Sequence, residues 1–254
     1  MYFHAIPLYS RIMLIGIPAL ACFLAIMLLR WDAWKRYPVM SAYLTVQGVG
    51  GTAVLLLGCF GTVMPLFYTN SAVIVLLNLI AFAVALELYY KIFDPRIGLF
   101  VWGRRHVVII ISASVALAIM IGSLLEARNG GSLTKAIETI TEVMQVALWA
   151  TFCILWIYSR SLGFTLRPRL RGIAGGFILY LTAAVICVFV SMRFSLSTAL
   201  IANQVEMAAE FLAMSWWLGV FWGEEKPAEE ATPEEVDEMV AKYTTSVEAA
   251  ARLL

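Results

Sequence analysis

Seven long apolar runs alternate with short polar connections along the chain. They are Ile12–Leu29, Val39–Gly61, Ser71–Leu88, Val107–Leu125, Ala136–Tyr158, Gly172–Met192 and Leu196–Trp222. An α-helix rises ~1.5 Å per residue and the hydrocarbon layer is ~30 Å thick, so ~20 mostly apolar residues make one crossing. The pattern therefore predicts an all-α, polytopic bundle of seven transmembrane helices over residues 1–223. It breaks after Trp222, where residues 224–233 are acidic, contain two prolines and read as a linker. Thr232-Pro233-Glu234-Glu235 then has the form of a helix start, and Val236, Met239, Val240, Tyr243 and Val247 follow at helical spacing. Residues 234–254 are accordingly expected to form a short amphipathic cytoplasmic helix, either solvated or docked on a partner.

Composition agrees with the pattern. The chain is 62% hydrophobic and 14% charged, whereas a soluble domain carries about 25% charged residues. The net charge of +1 gives no reason to expect nucleic acid as a partner. Charge placement says more than the total. Arg30, Lys35, Arg36, Lys91, Arg96, Arg104, Arg105, Arg160, Arg167, Arg169 and Arg171 fall in alternate connections, eleven on one side. The opposite side has four: Arg11, Arg128, Lys135 and Arg193. Basic loops stay in the cytoplasm, so the N-terminus is expected outside and the tail inside, in a cell inner membrane. An odd number of crossings demands the same.

Ala19-Leu20-Ala21 before Cys22 resembles a signal cleavage site. The apolar run continues to Leu29 and no basic cluster precedes it, so it reads as a retained helix. Cys22, Cys59, Cys153 and Cys187 all lie within runs and form no C-x-x-C pair, which reads as packing. Gly48, Gly50, Gly51, Gly172, Gly175 and Gly176 are expected to let helix backbones approach. Trp31, Trp34, Trp102, Trp216, Trp217 and Trp222 stand near run ends, as interfacial anchors do.

Several chemistries are excluded by inventory. A retinal Schiff base needs a lysine deep in a span, and none occurs between Lys135 and Lys226. Bis-histidine haem needs two imidazoles at one depth, but His4 and His106 are expected at opposite faces. A carboxylate di-iron bundle needs Glu-x-x-His pairs, and the nearest approach is Glu142-x-x-Gln145. No H-E-x-x-H or G-x-S-x-G motif is present. No cofactor, metal site or enzymatic activity is expected.

One polar constellation remains. Glu138, Glu142 and Gln145 share a face of the fifth run, and Asn203, Glu206 and Glu210 share a face of the seventh. The third run carries Asn78 and the second Gln47. Counting ~1.5 Å per residue, Gln145 and Glu206 come to roughly 13 Å below the outer surface and Asn78 to about 10 Å. Glu142, Gln145, Asn203, Glu206, Glu210 and Asn78 are thus expected to line a ligand- or cation-binding pocket in the outer half of the membrane. Membrane-embedded acids are costly and usually face an interior or water. A purely structural hydrogen-bond network is the competing reading. Glu138 reads as a wet residue near its helix start, and Glu87 as an ion pair with Lys91 at i+4.

Three stretches resemble an uncharacterised family of bacterial seven-helix membrane proteins: Arg36-Tyr37-Pro38-Val39-Met40-Ser41-Ala42-Tyr43-Leu44, Glu87-Leu88-Tyr89-Tyr90-Lys91-Ile92-Phe93, and Arg160-Ser161-Leu162-Gly163 with Gly172-Ile173-Ala174-Gly175-Gly176-Phe177. The resemblance implies the same seven-span fold and no particular activity. Two kinds of function are expected from the residues. One is a receptor-like module responding to a small cationic or protonatable ligand, with proton- or cation-coupled transport as a variant using the same residues. The other is a non-catalytic accessory subunit of a larger membrane complex. Expected partners are the lipid bilayer and a protein reached through the tail helix and the basic loops.

Overall fold

The computed structural model describes residues 8–60, 63–92, 133–161, 168–193 and 196–222, with single helical positions at 108, 112, 116 and 120. These residues form six long helices: α1 (Leu8–Arg30), α2 (Pro38–Phe60), α3 (Val63–Ile92), α4 (Leu133–Ser161), α5 (Pro168–Arg193) and α6 (Leu196–Trp222), with a short 3-10 turn at Ala33–Lys35. Among the described residues there is no strand. The proposed linker and tail helix, His4, His106 and most of the Val107–Leu125 run lie outside the described residues.

Five stretches are both long and apolar enough to cross a membrane: Tyr9–Arg30, Pro38–Phe60, Met64–Ile92, Thr139–Ile157 and Pro168–Val190. At 27 residues α6 has the length, but Asn203, Gln204, Glu206 and Glu210 interrupt its apolar character. Large apolar side chains face outward on the helices, including Phe60 (87% exposed), Ile157 (65%) and Val49 (64%). Water would penalise such a surface and lipid accepts it. This is a helical membrane protein.

Local chemistry explains the helix ends. Pro38 and Pro168 open α2 and α5, where the proline's missing N–H costs no helical bond. α3 is longer than the predicted Ser71–Leu88 run because Pro65 falls in its first turn and is tolerated there. Polar Thr69 and Asn70 continue that helix. Between α1 and α2 the chain turns through Asp32, whose φ of 54° is tolerated by its short polar side chain. Lys35 hydrogen-bonds to and attracts the exposed Asp32 carboxylate at 3.0 Å, holding its carboxyl below the usual aspartate range. Within the helices, Thr45, Thr52, Thr141, Thr151, Thr182 and Ser215 turn their hydroxyls back to the carbonyl four residues earlier. That satisfies polar groups without a partner helix.

The helices close a ring in chain order, and α6 packs against both α5 and α1. Residue pairings fix their directions. α2 runs against α3 (Met40 with Glu87, Gly50 with Val73) and against α6 (Gln47 with Glu210, Tyr43 with Trp217). α5 runs against α6 (Gly176 with Trp217, Cys187 with Ala202) and against α4 (Phe152 with Phe177, Trp149 with Thr182). Consequently α3 and α4, neighbours in the ring, run in the same direction. The ring has a basic end, where α1 and α3 finish and α2 and α5 begin, carrying Arg30, Lys35, Arg36, Lys91, Arg169 and Arg171.

The half near the basic end is dry and densely packed. Phe152 stacks on Phe177 with centroids 4.6 Å apart, and Phe177 in turn meets Trp217 at 4.8 Å and Tyr43 at 5.1 Å. Leu24, Leu28, Met40, Leu88, Ile173 and Phe221 fill the space around them with essentially no exposure. Glycines bring the backbones together as expected. A Cβ at Gly48 would fall 2.9 Å from the Cys22 backbone nitrogen, and one at Gly176 would collide with the Trp217 indole. Trp217 is not an interfacial anchor. It is 1% exposed, and its indole N–H donates to the Ile173 carbonyl at 3.2 Å, in the shelf left by Gly176. Trp216 likewise donates to the Gly172 carbonyl at 2.9 Å while its ring faces outward.

Candidate functional site

The other half of the ring is hollow. A cavity of about 830 Å³ lies between the first halves of α1, α3, α4 and α6 and the second halves of α2 and α5. Its walls are mainly aliphatic, from residues such as Leu14, Leu55, Ile74 and Leu77, and its floor includes Tyr43 and Phe177 from the aromatic layer. Asn78, Glu142, Gln145, Asn203, Glu206 and Glu210 all line it. The helical periodicities that put these residues on single faces thus bring three helices to one space.

Amides partner the acids. Gln145 on α4 donates from Nε2 to Glu206 Oε1 on α6 at 3.2 Å, and the Tyr180 hydroxyl on α5 reaches the same oxygen at 3.5 Å. Gln47 on α2 donates from Nε2 to Glu210 Oε1, one turn further along α6. Glu206 and Glu210 therefore face different walls of one cavity, each held by a neutral donor from across the ring. Glu142 stands on the α4 wall one turn before Gln145. Asn203 sits one turn before Glu206 at the wider part, and it is exposed. Glu138 occupies a helical position on α4, and its side chain lies outside the described residues.

Two polar atoms in the cavity wall are unanswered. Gln47 is 8% exposed and Asn78 6%. Gln47 Oε1 and Asn78 Nδ2 are fully enclosed and have no hydrogen-bond partner. Buried polar atoms are nearly always paired, so each marks a place where something else belongs.

Among the described residues no lysine, arginine or histidine lines the cavity. No group of three or more His, Cys, Asp or Glu side chains there stands close enough to hold a metal ion. Cys187 also lines the space, its thiol turned to the Ala202 carbonyl at 3.1 Å, and no disulfide engages the four cysteines. The site can therefore bind positive charge and hydrogen-bonding groups. It offers no nucleophile–base pair.

Three residues were not read as part of this set from the sequence. Gln47 stood out as the polar residue of its run, yet nothing along the chain joined it to Glu210. Tyr180 lies mid-run in Ile178-Leu179-Tyr180-Leu181, away from any interface, and a tyrosine so placed needs a hydroxyl partner. That signal could have found it. Tyr43 gave none.

Glu87 departs from its expected pairing. Its Oε2 accepts the Met40 backbone N–H at 3.1 Å, capping the first turn of α2, rather than closing on Lys91. The Lys91 ammonium instead lies over the Tyr37 ring, 5.1 Å from its centroid. A carboxylate beside free backbone N–H groups at a helix start gains from both hydrogen bonding and the helix dipole, which an exposed i,i+4 pair does not match.

Comparison of the chain with protein-family profiles, with curated proteins and with solved structures gives no match.

Proposed function

We propose that this protein is a receptor-like membrane module that binds a small cationic or protonatable ligand in the hollow half of its bundle. The observation carrying this reading is the pair Glu206 and Glu210, placed in one cavity with only neutral donors, Gln145, Tyr180 and Gln47, as described partners. A carboxylate in the hydrocarbon layer is tolerated when a proton, a cation or water neutralises or solvates it. A cavity this size has room for a ligand that does so.

The proposed topology has seven crossings, with the N-terminus outside and the basic end in the cytoplasm of a bacterial inner membrane. Parallel α3 and α4 support the count, because the chain must return from one end of the ring to the other between them. Residues 93–132 carry the apolar Val107–Leu125 run, and positions 108, 112, 116 and 120 are helical and exposed. The concentration of arginine and lysine at one end supports the orientation. On this reading the cavity opens outward. A change in it would pass to a protein partner through the basic loops and the tail. A transporter would use the same acids but needs a path through the layer of Tyr43, Phe177 and Trp217, which is closed here.

The test is thermal unfolding of the purified chain in lipid nanodiscs across a panel of alkali cations, organic amines and pH values. Stabilisation that disappears in Glu206→Gln and Glu210→Gln supports the reading. If these variants and Glu142→Gln alter neither stability, binding nor pH response, the cavity is not a binding site. A second reading, an accessory subunit without a ligand, is favoured by one observation: each acid ties α6 to another helix, as a structural network does. Native mass spectrometry of protein gently extracted from its membranes separates the two. A stoichiometric partner lost on deleting residues 224–254 favours the subunit.

A further inference from the structure

The unpaired atoms in the cavity wall specify more than positive charge. Gln47 presents an acceptor, Oε1, and its amide orientation is fixed because Nε2 is committed to Glu210. Asn78 presents a donor, Nδ2, from the adjacent helix. Both side chains are more than nine-tenths buried and both line the cavity. Around them the wall is aliphatic, with the Tyr43 and Phe177 rings beneath.

Resting on the ligand-binding reading above, we infer that the ligand is a primary or secondary ammonium ion on an apolar body, bearing an uncharged oxygen such as a hydroxyl or carbonyl. The ammonium supplies the positive charge that no described side chain brings to Glu206 and Glu210. Its N–H groups also satisfy Gln47 Oε1. The ligand oxygen accepts from Asn78 Nδ2. The apolar body fills the aliphatic part of the cavity and meets the aromatic floor, where a cation is attracted to ring faces as well.

The alternatives fit less of the wall. A quaternary ammonium satisfies the acids and the rings but has no N–H, so Gln47 Oε1 stays unanswered. A bare alkali ion leaves the Asn78 donor facing a cation and most of the roughly 830 Å³ unused. A carboxylate-bearing ligand would answer Asn78 but would bring negative charge to a site already rich in acids.

Calorimetric titration of the full chain in nanodiscs decides the matter with three probes: 2-amino-1-phenylethanol, phenethylamine lacking the hydroxyl, and the N,N,N-trimethyl form of the first. The amino alcohol is expected to bind most tightly. Loss of the hydroxyl or of the N–H groups should each weaken binding by about tenfold, the worth of one good hydrogen bond to a buried partner. Glu206→Gln and Glu210→Gln should abolish binding, and Asn78→Leu should erase the preference for the hydroxylated amine. If Asn78→Leu does not fold, the trimethyl comparison on the unaltered chain decides alone.

Equal or tighter binding of the trimethyl form overturns the inference, as does failure of all three probes to bind at millimolar concentration. If alkali ions or protons then still act through Glu206 and Glu210, the broader ligand-binding reading survives without it. If no cation acts through those residues, both fall.

Discussion

The two halves of this bundle are built from the same six helices, yet they solve opposite problems. Near the basic end the helices meet through glycines and stacked rings, and every large side chain has a filled environment. At the other end the same helices diverge around a cavity whose wall holds acids, amides and two unpaired polar atoms. The division falls within single helices. On α2, Met40 and Leu44 are sealed while Gln47 and Leu55 face open space. On α6, Trp217 and Phe221 are locked in the core while Glu206 and Glu210 line the cavity. In lipid no hydrophobic force drives helices together, so close packing must hold them, and the dry half supplies it. The hollow half can then remain unfilled and polar.

Matched substitutions in the two halves test this division most severely. Phe152→Ala in the dry half is expected to cost about 3–5 kcal/mol, while Phe67→Ala on the partly exposed cavity wall costs about 1 kcal/mol or less. Denaturant unfolding in detergent measures both, and similar losses would mean that the cavity wall is packed as tightly as the core. Glycines give the next contrast. Gly176→Leu drives a side chain into Trp217 and should cost about 1–3 kcal/mol or prevent folding. Gly58→Leu, whose Cβ would meet only Leu66 Cδ1 at 3.9 Å, should be nearly neutral by the same assay.

Polar pairs sharpen the picture at smaller magnitude. Gln47→Leu strips Glu210 of its cross-helix donor and should destabilise by about 1–2 kcal/mol, with Gln47→Leu/Glu210→Leu recovering much of the loss. Additive losses in that cycle would deny the pairing any role. Smallest of all is the exposed Asp32–Lys35 pair. Because Lys35 lowers the Asp32 pKa, any stability it lends is present above the ordinary aspartate range and is lost as pH falls through it. Asp32→Asn is therefore expected to leave the unfolding midpoint unchanged from about pH 5 to 8, consistent with the weakness of surface pairs. A clear shift in that window would show that the turn matters to the bundle.

Much of the architecture was written in the pattern of apolar runs, because lipid imposes length and composition directly on each helix. The run Leu196–Trp222 matches α6 end for end. The polar faces of α4 and α6 were legible for the same reason: a period of 3.6 residues needs no partner to be seen. What the sequence withheld were choices among partners. Trp217 has the composition and position of an interfacial anchor, and only the shelf left by Gly176 draws it into the core. Glu87 has Lys91 one turn away in sequence, but the free backbone N–H of Met40 comes from a helix nearly fifty residues earlier. Gln47 and Glu210 are further apart still. Such pairings depend on how helices are arranged around the ring, which periodicity within one helix does not encode.

The place of α6 in the ring also bears on how the protein is made. Synthesis runs from the N-terminus, so α1 reaches the membrane long before its neighbour α6, and the ring stays open until the last long helix arrives. That helix is the least apolar of the six and carries Glu206 and Glu210. Its acids enter lipid only when Gln47, Gln145 and Tyr180 are already in place to receive them. A growing chain therefore exposes amides first, which lipid tolerates better, and adds carboxylates last. The order of helices along the chain acts as a schedule that keeps the costliest groups from ever waiting alone in the bilayer.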